Sequence, residues 1–302
     1  MKPIIGIVAH DAGGAELVSR LIQKIEADFL YALAGPAVKI FNDNLGEIAN
    51  VTIENLIAEV DYLICGTSWE STHENAALKL AEELGMRVIS VLDHYSCYSE
   101  RYVKESYNII PAEIWVTDQH SLQLARELNP NADIKVVGNP YLEEMKRNFM
   151  KMTLPSLHSK YFDILYLTEP TSQQAKIQYG NENAWGFTEF DALKYFLQNL
   201  PLLTEQADVR VFLRQHPSEP ENKYYDFLGI FDSIQVQMSG EEELLSAMAS
   251  VHAIAGCDTM ALLIGVAINK PVFSSLPPNT INPTLPSMGI TYIRKVLGHG
   301  SK

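Results

Sequence analysis

Apolar runs of strand length recur along this chain, and each is followed by a stretch of helical length with one apolar stripe. Six such runs occupy residues 4–9, 29–34, 62–65, 87–92, 113–117 and 134–137, and most are continuously apolar, as strands covered on both faces must be. Helical patterns fall between them, at residues 14–25, 72–84 and 121–128. That alternation predicts a doubly wound parallel sheet. The pattern restarts at Phe162-Asp163-Ile164-Leu165-Tyr166-Leu167 and continues near Val209, Ile234, Ala253 and Val272. The fold class expected is therefore α/β, with two Rossmann-like domains, residues 1–150 and 151–302, joined around residues 139–160, and a cleft between the domains.

Composition narrows the classes of function. The 302 residues are 47% apolar, enough for two cores, and carry a formal net charge of −14 without a basic block, which argues against nucleic acid or an anionic membrane as the main partner. No run approaches the roughly 20 apolar residues of a membrane span, and the segment before the first turn is too short for a signal peptide. Cys65, Cys97 and Cys257 form no Cys-x-x-Cys pair, which suits a reducing cytoplasm and gives no zinc site.

In an open parallel sheet, ligands bind outside the carboxyl ends of the strands, so the polar residues at those exits are the candidates for chemistry. In the second half the first such exit is Leu213-Arg214-Gln215-His216-Pro217. An imidazole here can bind a phosphate or donate a proton to a departing phosphate oxygen, and Arg214, two residues back on the same side of an extended strand, can hold a phosphate or carboxylate in its fork. The second exit is Ala255-Gly256-Cys257-Asp258-Thr259. Gly256 would let a phosphate approach the backbone, Asp258 or Thr259 would fall at a helix N-cap, and the free N–H groups of that helix start would attract an anion. Asp258 capping its own helix is the alternative. Thr168, leaving the first strand of this half, offers a further hydroxyl.

In the first half, His10-Asp11-Ala12-Gly13-Gly14 follows the first strand. It lacks the Gly-x-Gly-x-x-Gly fingerprint, but Gly13 and Gly14 allow a sharp bend and close approach of a ligand. His10 and Asp11 place titratable groups there, either of them a possible general base, with Asp11 as a mere helix cap the alternative. Thr67, Ser68 and Trp69 leave the third strand as hydrogen-bonding groups and a platform for a sugar, although Ser71 with Glu74 also fits a capping box. Asp93, His94 and Arg101 lie in a loop with three tyrosines, which reads as the acceptor side of the cleft.

Other polar residues read as structural. Asp118 suits an N-cap, Glu189 and Asp191 suit a first helical turn, and Glu241-Glu242-Glu243 suits a helix start. Residues 174–182, polar and poor in core residues, read as a mobile flap.

Two Rossmann-like halves, a Gly-containing first turn, His216-Pro217 after a strand, and Gly256-Cys257-Asp258-Thr259 before Lys270-Pro271-Val272 together resemble glycosyltransferases of the GT-B fold. His216-Pro217 and Thr259 resemble the His-Pro and Ser/Thr motifs of bacterial sialyltransferases and Kdo transferases. That resemblance implies an inverting, metal-independent transfer in surface-glycan synthesis, without a cofactor, from a nucleotide-sugar donor, CMP-linked by preference, to a glycan or lipid-linked glycan, with peripheral membrane contact possible. His216 would bind and protonate the leaving phosphate, Thr259 would share that phosphate, and Asp11 would deprotonate the acceptor, the first domain taking the acceptor and the second the nucleotide. The acidic pair followed by Gly of the sialyltransferases is replaced here by His10-Asp11-Ala12-Gly13. UDP-N-acetylglucosamine 2-epimerases and UDP-sugar hydrolases share the architecture and are the alternative, although their Gly-Thr-Arg first turn is absent; a non-catalytic nucleotide- or glycan-binding protein is another.

Overall fold

The structure, a computed structural model, describes residues 2–68, 71–104, 107–155, 157, 160–204, 208–228 and 234–298. The chain forms two compact units, Met1–Tyr141 and Leu142–Lys302.

Unit 1 carries strands β1 (Ile4–Ala9), β2 (Asp28–Leu33), β3 (Tyr62–Cys65), β4 (Val88–Val91), a short antiparallel pair β5 (Val103–Lys104) and β6 (Tyr107–Asn108), then β7 (Glu113–Val116) and β8 (Asp133–Val136). Six of them form one parallel sheet in the order β2-β1-β3-β4-β7-β8. The continuous apolar runs are explained by burial on both faces. Ile5, Ile7 and Ala9 pack with Leu17, Val18 and Phe41 on one side, while Val8, Leu63 and Cys65 pack with Leu56, Ala77 and Ala81 on the other. Each fully buried aliphatic side chain contributes about 1.5–3 kcal/mol. Gly6 has no room for a methyl group, because a Cβ there would lie 2.5 Å from side-chain carbons of Leu56 and Leu63.

Unit 2 carries β9 (Phe162–Leu167), β10 (Val209–Arg214), β11 (Gln235–Met238), β12 (Ala253–Gly256), β13 (Val272–Ser274) and β14 (Thr291–Tyr292), all parallel in the order β11-β10-β9-β12-β13-β14. This is the doubly wound order, with the chain reversing its direction of travel between β9 and β12. Its core joins Ile164, Tyr166, Val211 and Ala255 to Leu193, Phe196 and Leu197 of the Glu189–Asn199 helix. The fold is thus α/β with two Rossmann-like halves.

One expectation is corrected within this unit. Residues 174–179 of the stretch read as a flap belong to a helix, Thr171–Tyr179, seated by buried Ala175 and closed by Gly180 at φ +69°. Its apolar residues do not share one face, since Ala175 is buried while Ile177 and Tyr179 are exposed, so no apolar stripe announced it. Thr188 caps the Glu189–Asn199 helix in a reciprocal pair with Asp191, as its first-turn carboxylates suggest, and Asp118 caps Gln119–Leu128 in the same way with Ser121.

Candidate functional site

In unit 1 the direction of travel reverses between β1 and β3, and the exits of β1, β3 and β4 carry a connected set of polar groups. His10 Nδ1 lies 2.7 Å from Asp11 Oδ1, with side chains 30% and 29% exposed, so the pair can meet a ligand. A carboxylate oxygen accepts, which makes Nδ1 the donor and leaves Nε2 as the basic nitrogen of the neutral ring. Asp11 stands at the N-cap position of the Ala12–Leu21 helix, yet its side chain makes no capping bond. The reading of Asp11 as a mere cap is thereby removed. The other side of the ring lies against Gly35, where a Cβ would sit 2.6 Å from Nε2.

Asp93 is the centre of the second group. Its Oδ1 accepts from the Thr67 hydroxyl and from Arg101 Nη1, both at 3.3 Å, and Arg101 also donates to the Thr67 carbonyl at 3.2 Å and to Thr67 Oγ1 at 2.9 Å. Arg101 is 6% exposed and Asp93 12% at the side chain, so this ion pair is mostly out of water, where opposite charges hold each other strongly. Gly13 is required here. A Cβ on it would lie 2.1 Å from Asp93 Oδ2, while one on Gly14 would press on the Gly66–Thr67 backbone at 3.4 Å. The two glycines therefore serve close packing of the first helix on the Thr67 and Asp93 exits. His94 hydrogen-bonds Ser96 Oγ at 2.9 Å through Nδ1, and burial, then the Arg101 charge, push its pKa down to about 4, so it is a neutral imidazole near pH 7.

Glu74 is a residue that sequence reasoning misassigned. The expected Ser71–Glu74 capping box does not form: the helix begins at His73 without a side-chain cap on Thr72. The Glu74 carboxylate, 2% exposed, instead accepts the His10 N–H at 2.8 Å and the Ser68 hydroxyl at 2.8–2.9 Å. Burial holds its pKa above the usual carboxylate range. Ser68 is thus committed to the framework that sets His10, and Trp69 lies outside the described residues.

In unit 2 the exits of β10, β9 and β12 are neighbours. Arg214 ends β10, and its Nη1 is buried without a hydrogen-bond partner. A buried unpartnered donor on a cation is costly and calls for an acceptor. His216 Nδ1 meets Ser218 Oγ at 2.8 Å and the Ser218 N–H at 3.2 Å. The Thr168 hydroxyl, at the end of β9, donates to Glu219 and accepts the His216 N–H at 3.1 Å, so it holds the His216 loop instead of standing free for a ligand. Glu219, buried and overlooked from sequence, also accepts from Tyr224 OH at 2.7 Å and Lys223 Nζ at 2.9 Å. Its spacing of three residues from His216 was the signal, since a carboxylate there can close a turn.

The β12 exit departs from the expected phosphate-binding helix start. The helix is Ala261–Ala267, and neither Asp258 nor Thr259 is its N-cap; Asp258 accepts instead from Thr284 N–H at 2.8 Å and from its hydroxyl at 2.7 Å. Thr259 Oγ1 accepts from Ala261 N–H at 3.4 Å. The space above Gly256 is filled, because a Cβ would lie 3.0 Å from the Leu167 carbonyl and 3.1 Å from the Thr259 methyl. Gly256 therefore serves close packing of the β12 exit against β9 and Thr259. Across the switch point, Asp258 N–H donates to Glu169 at 3.0 Å, and burial, followed by the nearby acids, pushes the Glu169 carboxyl up to about 8. Asp258 is raised for the same reason, and its Oδ1 is buried without a partner. Among the described residues no group of three or more His, Cys, Asp or Glu is placed to hold a metal ion, and no helix is long and apolar enough to cross a membrane.

No protein-family model matches the chain, and no curated protein matches it. Solved structures do. The UDP-GlcNAc 2-epimerase from Methanocaldococcus jannaschii superposes with a TM-score of 0.63 at 16% identity, over 98% of this chain and 91% of that one. The S. aureus MnaA–UDP co-structure gives 0.57 at 13% identity, over 91% and 79%. UDP-GlcNAc 2-epimerase from Neisseria meningitidis, bound to UDP-GlcNAc, gives 0.54 at 15%, over 92% and 83%. The shared property at such identities is the fold.

Proposed function

We propose that this protein is an enzyme acting on a UDP-linked sugar, in which unit 1 supplies acid–base groups and unit 2 supplies donors to the nucleotide phosphates. The observation that carries the reading is Asp93, a carboxylate fixed by Thr67 and Arg101 at a strand exit, in the same unit as the half-exposed His10–Asp11 pair. The fold shared with three UDP-sugar 2-epimerase or UDP-bound structures supports UDP over CMP as the nucleotide.

The chemistry proposed is elimination. A base takes the proton from C2 of the sugar, the C2–H electron pair forms a C1–C2 double bond, and the C1–O bond breaks with its electrons leaving on UDP. Return of UDP to C1 with a proton delivered to the opposite face of C2 gives the epimer; water at C1 instead gives the free sugar. Asp93 is the base assigned, because it is an acceptor already oriented by two donors, and catalysis by a positioned base contributes about 10²–10⁴-fold. Arg214 and His216 hold the phosphates, which satisfies the unpartnered Nη1 of Arg214. Metal-independent, inverting transfer to an acceptor hydroxyl is the second reading, favoured by the His10–Asp11 pair, which could deprotonate an alcohol.

Incubation with UDP-GlcNAc, UDP-glucose and a CMP-linked sialic acid in D₂O, followed by proton NMR, tests both. Deuterium at C2 of a UDP-sugar is the expected result. Nucleotide release only when an acceptor glycan is added would replace elimination by transfer, and consumption of the CMP-sugar alone would overturn the UDP assignment.

A further inference from the structure

Two histidines of unit 2 accept a backbone N–H on Nδ1, and they differ in what remains. His252 takes the Asp163 N–H at 3.0 Å, donates from Nε2 to the Leu157 carbonyl at 3.0 Å, and stacks on Phe162 with ring centroids 5.0 Å apart. Both of its nitrogens are satisfied within the fold, so it serves as a structural tie between loop and strand. His216 takes the Ser218 N–H at 3.2 Å in the same way, but its Nε2 has no partner among the described residues. A nitrogen that accepts an N–H carries no proton, so the ring is neutral and its single hydrogen sits on Nε2.

The turn that imposes this state is fixed at both ends. The Glu219 side chain is 0% exposed and accepts the His216 N–H at 3.0 Å, together with the Thr168, Lys223 and Tyr224 donors. In return the Glu219 N–H donates to the His216 carbonyl at 2.9 Å, with Pro217 stiffening the segment between. Ser218 is thereby held where both its N–H and its hydroxyl meet Nδ1. The charges that bear on the ring are Glu219, which favours protonation, and Lys223, which neutralises Glu219; burial of the imidazole lowers its pKa and outweighs the carboxylate.

We propose that Ser218 and Glu219 are positioning residues that lock His216 as the Nε2–H tautomer, so that His216 grips an oxygen of the substrate nucleotide as a hydrogen-bond donor and is not the acid that protonates the leaving phosphate. The ligand named rests on the proposed action on UDP-sugars; the tautomer does not. This replaces the role that the His-Pro resemblance implies for His216. Proton supply to the departing nucleotide then falls to another group or to water, and turnover has no requirement for a charged His216.

Nitrogen NMR of the full chain labelled with ¹⁵N-histidine tests the tautomer directly, with His216→Ala assigning the resonance. At pH 6.5, near the ordinary histidine midpoint of about 6.5, His216 should show an unprotonated Nδ1 and a protonated Nε2. A half-charged ring, or a hydrogen on Nδ1, would overturn the proposal. Ser218→Ala keeps the N–H and loses the hydroxyl contact, and should raise the titration midpoint of His216; an unmoved midpoint removes Ser218 from the device. Calorimetry with UDP supplies a second reading. His216→Gln, whose amide nitrogen stands in for Nε2, should keep most of the affinity, whereas His216→Asn and His216→Ala should each lose about tenfold, the value of one hydrogen bond to a charged acceptor. Better binding by the Asn variant than by the Gln variant would refute the Nε2–H donor. Wild-type protein that ignores UDP would bring down the UDP assignment, while the NMR result still decides the tautomer.

Discussion

His10 and His216 each follow a strand of a parallel sheet, but what meets their Nδ1 is opposite in kind: a carboxylate oxygen 2.7 Å away for His10, a backbone N–H at 3.2 Å for His216. The first ring donates from Nδ1 to a carboxylate, whereas the second accepts at Nδ1 and is left with Nε2 as its donor. Their surroundings follow the same division. At the β4 exit of unit 1 the carboxylate of Asp93 faces the Arg101 cation, whereas Glu74 nearby meets the neutral His10 N–H and Ser68 hydroxyl. At the β9 and β12 exits of unit 2, Glu169 and Asp258 accept from neutral N–H and hydroxyl donors, and burial drives both toward the protonated form, outweighing the Arg294 charge near Asp258. Two sheets of one topology class thus present different proton inventories, and the difference comes from loop residues that leave the strand pattern untouched.

If acid–base work belongs to unit 1, Asp93→Asn has the largest effect. An amide keeps an oxygen for Thr67 and Arg101 but is no base, so turnover of the UDP-sugar should fall about 10²–10⁴-fold while circular dichroism stays native. Undiminished turnover would break the assignment and move the base to His10. A smaller effect is expected at Gly35, which lies at φ +52° and ψ −139° against the His10 ring. Gly35→Ala combines a backbone conformation costing about 1–3 kcal/mol with a methyl group where the ring now is. Denaturant midpoints should fall accordingly, and turnover should drop about tenfold through displacement of His10, in keeping with the sensitivity of catalysis to small misplacements. Native stability in that variant would show that the loop adapts and that the ring is not held there.

The strands were legible because burial on both faces leaves an unbroken apolar run, and the seven runs read with definite bounds agree with the structure to within one residue at each end, as Val88–Val91 does within residues 87–92. β14, two residues long, is too short to carry any period. The exits were legible as places where His10, Asp93 and His216 cluster with other polar groups, since the strand period locates them. Which way each side chain turns was not. Glu74 has the local sequence of a capping box, and only the backbone of His10, 64 residues away in the chain, draws it elsewhere. Glu219 likewise gains its meaning from Thr168, 51 residues distant, and from Tyr224. Spacing cannot register such contacts, because they are made by the sheet and not by the helix or turn that supplies the residue. Gly256 shows the same limit, because the Leu167 carbonyl packed against it comes from another strand, 89 residues earlier in the chain.

The proton inventory of unit 2 can be measured through stability. Glu169 keeps its proton up to about pH 8 in the folded chain, against an ordinary glutamate value of 4.5. Between those values the unfolded chain has released a proton that the folded chain retains, so the unfolded state binds fewer protons and stability falls as pH rises. Above about pH 8 the folded carboxyl is ionised too and the slope from this group ends. Glu169→Gln preserves an oxygen for the Asp258 N–H but cannot ionise, so the variant should gain on the wild type as pH rises from 6 to 8. The gain expected is about 1 kcal/mol, below the linkage ceiling of about 1.4 kcal/mol per pH unit because water reaches part of the side chain. Urea midpoints at pH 6, 7 and 8 for both proteins give the number. A stability difference that does not vary with pH would mean that Glu169 is already ionised at pH 6, and the contrast between a charged exit in unit 1 and a proton-retaining one in unit 2 would then rest on Asp258 alone.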